Sequence, residues 1–347
     1  MSINPSLYAL FNPAQLERFC ELFGEDPSSL VASFVGWNKL VVLSPTHVYL
    51  IPRDPSKIPQ LEKELDLAVS FEEFPEIPLP RLVQRIKDTH LSYYEVGVVE
   101  RFHGQLFSDI LDSLAYPQLQ DFMTSLATLI ARWHSIPTTQ LPSSLSGMHF
   151  STPKLMVDSW TRKMLDPLTV SEAVAFVLGE IKKVSNSAVA EQVRYLTSDP
   201  VRKVWTQVLV ELALLDPVLV HGDLHEDQLF VEVKPDKTCV IKGVIDWETA
   251  RLDNPVWDFN FGEWGVPLWE KYVHQFLKLR RDMWENYCRQ RRLKMTSLHG
   301  LHLYYLLRDF LWLVEDNPTC NMTGLDFEGS VTLFLGWLVE VSVELLG

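Results

Sequence analysis

Val218-Leu-Val-His-Gly-Asp-Leu-His-Glu-Asp-Gln-Leu-Phe230, followed by Val244-Ile-Asp-Trp247, is the stretch on which the reading of this chain turns. The apolar run Val218–Val220 predicts a strand that ends in His221-Gly222-Asp223. A short polar loop leads to a second strand from Leu229. Lys234-Pro-Asp-Lys237 makes a turn, and Cys239–Ile245 returns as a third strand ending at Asp246. Two carboxylates delivered by strand ends and joined by a hairpin suit phosphoryl transfer: one takes the proton of an attacking hydroxyl, the other holds Mg²⁺ against nucleotide phosphates.

Upstream of this hairpin the pattern is that of a small sheet. Residues 13–25 carry Leu16, Phe19, Leu22 and Phe23 on one helical face. Strands are predicted over residues 30–36 and 39–43, either side of Gly36-Trp37-Asn38, and over His47–Ile51 after the turn Ser44-Pro45-Thr46. Ile58–Phe74 is helical, with Leu61, Leu65, Leu67 and Val69 among its apolar positions, until Pro75, Pro78 and Pro80 stop it. Two more strands follow at Arg81–Arg85 and Tyr93–Glu100. This order predicts an antiparallel sheet with one packed helix, an α+β unit.

After His103-Gly104 nearly every segment has a helical period, most clearly Leu119–His134. Helices resume from Val266 to Leu346 and are rich in Trp and Tyr. The expected organisation is an N-terminal lobe over residues 1–100, a hinge near 100–104, and a larger, mainly helical C-terminal lobe over 101–347.

Composition narrows the function. A net charge of −14 argues against nucleic acid or an anionic membrane as partner. Cys20, Cys239, Cys288 and Cys320 form no CxxC pair, so neither a disulfide framework nor a zinc site is indicated, and reduced thiols in a cytoplasmic protein are expected. The start of the chain lacks the basic and apolar regions of a signal peptide. Leu301–Val314 carries Arg308 and Asp309 and is too short to span a bilayer.

His221-Gly-Asp-Leu-His225, the amide at Gln228 and Ile245-Asp246-Trp247 resemble the aminoglycoside phosphotransferase superfamily, which includes macrolide phosphotransferases and choline-kinase-like enzymes. The resemblance extends over roughly residues 30–340 and is specific at the central motif only. It implies a protein-kinase-like bilobal fold and a phosphate donor of ATP or GTP with Mg²⁺. It also implies roles. Asp223 is the expected catalytic base and Asp246 the expected Mg²⁺ ligand. Gln228 stands where the family usually has Asn. Its amide oxygen either serves the metal, with a small loop shift or a bridging water, or is structural. His221 and His225 are expected to hold the loop, and Asp258 to brace it.

On the nucleotide side, the family places a cation on the third strand to contact the phosphates. One alignment puts Arg53 there. Another puts Leu50 there and leaves the strand without a cation. Arg53 is preferred as the only cation on that strand. Glu64 is its expected partner, with a plain solvated helix face as the competing reading. Glu100 and Phe102 match the hinge whose main-chain groups bind the nucleobase.

The implied activity is a small-molecule O-phosphotransferase acting on an aminoglycoside or macrolide, with antibiotic resistance as its consequence. Two alternatives stay open: a metabolite kinase for choline-like, sugar or amino-alcohol substrates, and a catalytically silent nucleotide-binding protein. Glu263, Glu315 and Asp316 are the carboxylates available for a cationic acceptor. Trp264, Trp269, Tyr304, Tyr305 and Trp312 would suit an apolar one, or simply form core. The expected partners are therefore a nucleoside triphosphate and a small hydroxyl acceptor, with the chain a monomer or homodimer.

Overall fold

The computed structural model describes residues 4–34, 38–92, 94–145, 160, 162–235, 237–259, 266–315 and 325–347. Gly36, Trp37, Glu263, Trp264 and Asp316, and the side chain of Trp269, lie outside this description. The chain divides into two compact units. The first comprises Met1–Ser113, Ile136–Gly147 and His221–Arg251; the second comprises Leu114–Ser135, Met148–Val220 and Leu252–Gly347.

In the first unit, β1 (Val31–Ser33), β2 (Lys39–Leu43), β3 (His47–Pro52), β4 (Leu82–Ile86) and β5 (Val96–Glu100) form an antiparallel sheet in the order β1-β2-β3-β5-β4. The period-2 alternation of its strands gives the sheet two apolar faces. Val42, Tyr49, Ile51, Val96 and Val98 pack with Leu7, Leu16 and Phe19 from α1 (Pro5–Leu10) and α2 (Pro13–Phe23). Leu50 and Val99 point the other way, onto Leu61 and Leu65 of α3 (Ile58–Ser70). Helix α2 starts on a capping box between Asn12 and Gln15 and stops at Gly24, which takes the left-handed backbone.

The hairpin read from the sequence is present as β8 (Leu229–Val233) and β9 (Cys239–Val244), closed by the turn in which the Lys237 N–H donates to the Lys234 carbonyl at 2.7 Å. The short strand β6 (Gln105–Leu106) adds to its edge through β8. The Val244 N–H donates to the Pro78 carbonyl at 2.8 Å. These backbone bonds group the hairpin with the first unit, whereas the sequence reading placed everything after residue 100 with the helices. Pairing between segments more than a hundred residues apart leaves no local mark on the chain.

The second unit is helical: α5 (Tyr116–Trp133), α6 (Val170–Lys183), α7 (Ala190–Leu196), α8 (Asp199–Ala213), α9 (Val266–Arg291), α10 (Met295–Glu315) and α11 (Phe327–Leu346); α4 (Phe107–Leu111) lies in the first. The strand β7 (Val218–Val220) pairs with β10 (Arg251–Asp253). Trp133, Trp205, Trp284, Tyr287, Tyr304 and Tyr305 are fully buried. By length and composition α11 is apolar enough to cross a membrane. Here Phe334, Leu335 and Leu338 are completely buried, and it packs against α7, α8 and α10.

Candidate active site

The loop after β7 begins with His221, which is buried. Its Nε2 lies 2.9 Å from the Ile245 carbonyl oxygen, and its own carbonyl accepts from Thr249 Oγ1 at 2.6 Å. Gly222 turns the chain at φ +83°, and a Cβ there would lie 2.3 Å from Arg251 Nη1 and 2.9 Å from the Thr249 carbonyl oxygen. Only glycine fits both the backbone angle and the space. Half-buried Asp223 follows on this loop, which is thus bonded to the segment carrying Asp246.

Asp246 sits two residues beyond β9 with φ +69° and ψ +48°, a left-handed conformation uncommon outside glycine but tolerated by Asp. Trp247 anchors it. The indole donates to the Val244 carbonyl at 3.1 Å, and the ring packs against His221 (4.6 Å between centroids) and Phe71 (5.5 Å). This packing brings the segment beside α3.

There three carboxylates gather on one ammonium. Lys39, 8% exposed at the start of β2, bonds Glu64 of α3, with its ammonium 2.8 Å from Asp246 Oδ1 and 3.4 Å from Glu248 Oε2. Asn38 Nδ2 donates to the other Glu248 oxygen at 2.5 Å. Burial works against the Lys39 charge, but Asp246, Glu64 and Glu248 outweigh it and hold the pKa well above the ordinary lysine value. Burial would likewise push Asp246 up, and the Lys39 ammonium instead holds it below the usual carboxylate range. For Glu64 the balance goes the other way: burial, helped by the two neighbouring carboxylates against Lys39, raises it to about 7. One residue before it, fully buried Lys63 is lowered to about 8 by burial and by the Arg251 guanidinium.

Glu64, Asp246 and Glu248 each place a carboxylate oxygen within 4.8 Å of the others. Three hard oxygen donors on one small volume are the chemistry that Mg²⁺ takes. The residues therefore fit the ion implied by the sequence motif.

The structure changes the cation. Glu64 was expected to pair with Arg53, but it pairs with Lys39. Lys39 lies directly opposite Pro52 in the β2–β3 ladder. Directly opposed residues share a face of the sheet and the next residue takes the other. Arg53 follows Pro52, is exposed, and donates through Nη2 to the Phe34 carbonyl at 2.6 Å. A lysine opening a strand reads as a surface residue, so Lys39 passed unnoticed. Glu248 was missed as well, although its i, i+2 spacing from Asp246 was a usable signal.

Gln228 is buried, and its Oε1 accepts the His225 N–H at 3.2 Å while its carbonyl accepts the Ile245 N–H at 3.0 Å. The side chain thus closes a capping box around the loop. At the hinge, the Glu100 N–H donates to the Arg81 carbonyl at 2.9 Å. The Phe102 ring covers Gly243, where a Cβ would lie 2.3 Å from it.

In the second unit, Asp258 is fully buried and accepts from Trp133 Nε1 at 2.8 Å, with His134 Nε2 at 2.9 Å. His134 Nδ1 meets the Tyr287 hydroxyl at 2.8 Å. Tyr304 and Tyr305, considered above for an apolar acceptor, are core residues: both are 1% exposed, and the Tyr305 hydroxyl donates to the Val256 carbonyl at 2.6 Å. Glu315 is exposed at the end of α10.

The sequence model described as "Phosphotransferase enzyme family" matches residues 40–288, well over half of the chain. The chain belongs to this phosphotransferase family. Comparison with curated proteins returned no significant match. Among solved structures, ADP-bound aminoglycoside phosphotransferase APH(2'')-Ib is similar at 16% identity and a TM-score of 0.53, with 97% of each chain covered. The GDP complex of aminoglycoside 2'-phosphotransferase-IIIa is similar at 14% identity and a TM-score of 0.52, covering 98% of this chain and 99% of that one. A putative aminoglycoside phosphotransferase from Ralstonia eutropha JMP134 has 14% identity and a TM-score of 0.51 over 96% of this chain and 99% of that chain. Identities this low establish the α+β, protein-kinase-like fold of the family member.

Proposed function

We propose that this phosphotransferase moves the γ-phosphate of ATP or GTP to a hydroxyl of a small molecule, an aminoglycoside or macrolide antibiotic being the first class to test. The observation that carries the reading is the linkage of Lys39, Glu64 and Asp246 within one compact unit: a strand cation, a helix carboxylate and the carboxylate of the Ile245-Asp246-Trp247 motif meet on one ammonium. Solved structures with this fold include a GDP complex and an ADP-bound enzyme, which suits a nucleoside triphosphate donor without choosing the base.

In this reading Asp246 and Glu248, with the Gln228 amide as a further candidate, would hold Mg²⁺, which would supply charge neutralisation at the phosphates. Lys39, rather than Arg53, faces the phosphates, and Glu64 orients its ammonium. Asp223 takes the proton of the acceptor hydroxyl, and the bonds of His221 and Thr249 keep its loop in register with Asp246. Main-chain groups of Glu100 and Phe102 meet the nucleobase. Such a site works by positioning and charge, with no covalent intermediate on the protein. Chemistry of this kind suits a soluble cytoplasmic enzyme.

A second reading, a silent nucleotide binder, is favoured by the engagement of Gln228 Oε1 with the loop backbone. A metabolite kinase is the third, since Tyr304 and Tyr305, offered as part of an apolar acceptor platform, are core. A transfer screen over aminoglycosides, macrolides and small amino alcohols, with ATP and GTP in turn, separates them. Asp223→Ala is expected to lower transfer by about 10²–10⁴-fold, the usual share of a general base. Full turnover by this variant removes Asp223 from its role. No thermal shift with Mg²⁺–ATP or Mg²⁺–GTP counts against both kinase readings.

A further inference from the structure

We propose that Lys39 is an internal counter-ion that occupies the metal site of the nucleotide-free chain, so that a divalent cation reaches Asp246 together with nucleotide phosphates and not before them. This rests on the phosphotransferase reading and concerns how the site is loaded.

The ammonium contacts the carboxylates that would hold the metal, Asp246 at 2.8 Å and Glu248 at 3.4 Å, and is also bonded by Glu64, the third carboxylate of the cluster. A magnesium ion binds carboxylate oxygen at about 2.0–2.1 Å. An ammonium and a dication on one Asp246 oxygen would therefore be close like charges in a poorly solvated place, where their repulsion is weakly screened. Lys39 cannot retreat as a whole. Its backbone opens β2 in register with Pro52, and its side chain is 11% exposed. The four-carbon stem can swing, and it does so when something else attracts the ammonium. Nucleotide phosphates are such an attractor, and they bring oxygen ligands for the metal at the same moment.

The charge balance gives the two ligands opposite dependences on this one residue. Removing the ammonium leaves three carboxylates crowded within 4.8 Å of one another, a better site for a bare dication. The same removal deprives nucleotide phosphates of a cation. A lysine that merely holds the fold together would not produce gains for one ligand and losses for the other.

The test uses the full chain and Lys39→Met, which keeps most of the stem and drops the charge. Mn²⁺ binding without nucleotide, followed by electron paramagnetic resonance of the free ion, is expected to tighten at least tenfold. Mg²⁺–ADP and Mg²⁺–GDP binding by calorimetry is expected to weaken at least tenfold. Adding Asp246→Asn should abolish the gained Mn²⁺ affinity, which locates it. Unchanged or weaker Mn²⁺ binding by Lys39→Met overturns the proposal. If that happens while wild type binds Mg²⁺–nucleotide, the phosphotransferase reading survives. If Mn²⁺ tightens but no nucleotide binds wild type, the counter-ion assignment stands and the phosphotransferase reading falls. Should Lys39→Met not fold, nuclear magnetic resonance of ¹⁵N-lysine wild type decides, with the Lys39 signal assigned by Lys39→Arg. Mg²⁺ alone should leave the ammonium signal in place, and Mg²⁺–ADP or Mg²⁺–GDP should move it. A signal moved by Mg²⁺ alone refutes the idea.

Discussion

Gly222→Ala tests the loop that carries Asp223 more sharply than any change to Asp223 itself, because it alters no charge. The new methyl group meets two obstacles and one backbone constraint. At φ +83° an L-residue is in the left-handed region, at a cost of about 1–2 kcal/mol. The Thr249 carbonyl oxygen, 2.9 Å from the Cβ position, belongs to backbone and moves only with its segment. Arg251 Nη1, at 2.3 Å, must leave altogether. The guanidinium is 8% exposed and donates to the Thr249 carbonyl at 3.3 Å, and losing a charged hydrogen bond costs about 1.5–3 kcal/mol. Together these place the destabilisation at about 2.5–5 kcal/mol. Urea unfolding followed by tryptophan fluorescence measures it, with Trp247 as a nearby reporter. The cost should shrink in an Arg251→Ala background by the hydrogen-bond share, leaving the backbone share. Transfer should fall about 100-fold or more even in the fraction that stays folded, since a displacement of about 1 Å is enough for that. A Gly222→Ala chain within about 0.5 kcal/mol of wild type, the range of an innocuous surface change, would refute the cradle described here.

The second unit offers two further checks. Asp258→Ala leaves the Trp133 indole N–H and His134 Nε2 without their buried acceptor, and should destabilise the chain by about 2–5 kcal/mol in the same urea assay; a change within error would mean that the acceptor is dispensable. Acid should also weaken the fold through histidines. Burial lowers the pKa of His134, and burial with Arg280 and Arg281 nearby lowers His302 to about 3. The unfolded chain takes up these protons near pH 6.5 and the folded chain does not. Stability therefore falls as pH drops below about 6.5, by at most about 1.4 kcal/mol per pH unit for each group. Glu64, raised to about 7, works the other way over this window, so melting temperatures at pH 7.5 and 5.5 are compared in Glu64→Gln, where a rise on acidification contradicts the sign.

The strands at Val31–Ser33, Lys39–Leu43 and His47–Pro52 and the Ile58–Ser70 helix were legible because burial of one face imposes a local period. The hairpin from Val218 to Asp246 was legible for the same reason, and its charged residues mark strand ends. Ambiguity began where neighbours on the site come from distant segments. Lys39 and Arg53 are equal candidates by charge, and only the pairing of β2 with β3 sends them to opposite faces. Gln228 reads as a metal-side amide in the motif, yet its oxygen meets the His225 N–H once the loop closes. Tyr304 and Tyr305 have the composition of a binding platform, and helix packing buries them.

By itself, then, the sequence determined the chemistry class: Asp223 and Asp246 at the two ends of a hairpin, within a phosphotransferase family member, follow from residue identity and local spacing. Tertiary structure alone decided that Lys39 is the cation on Asp246 and that Glu64 and Glu248 share it. Ion pairing depends on distances of a few ångströms between groups far apart in the chain, and no local pattern encodes those distances.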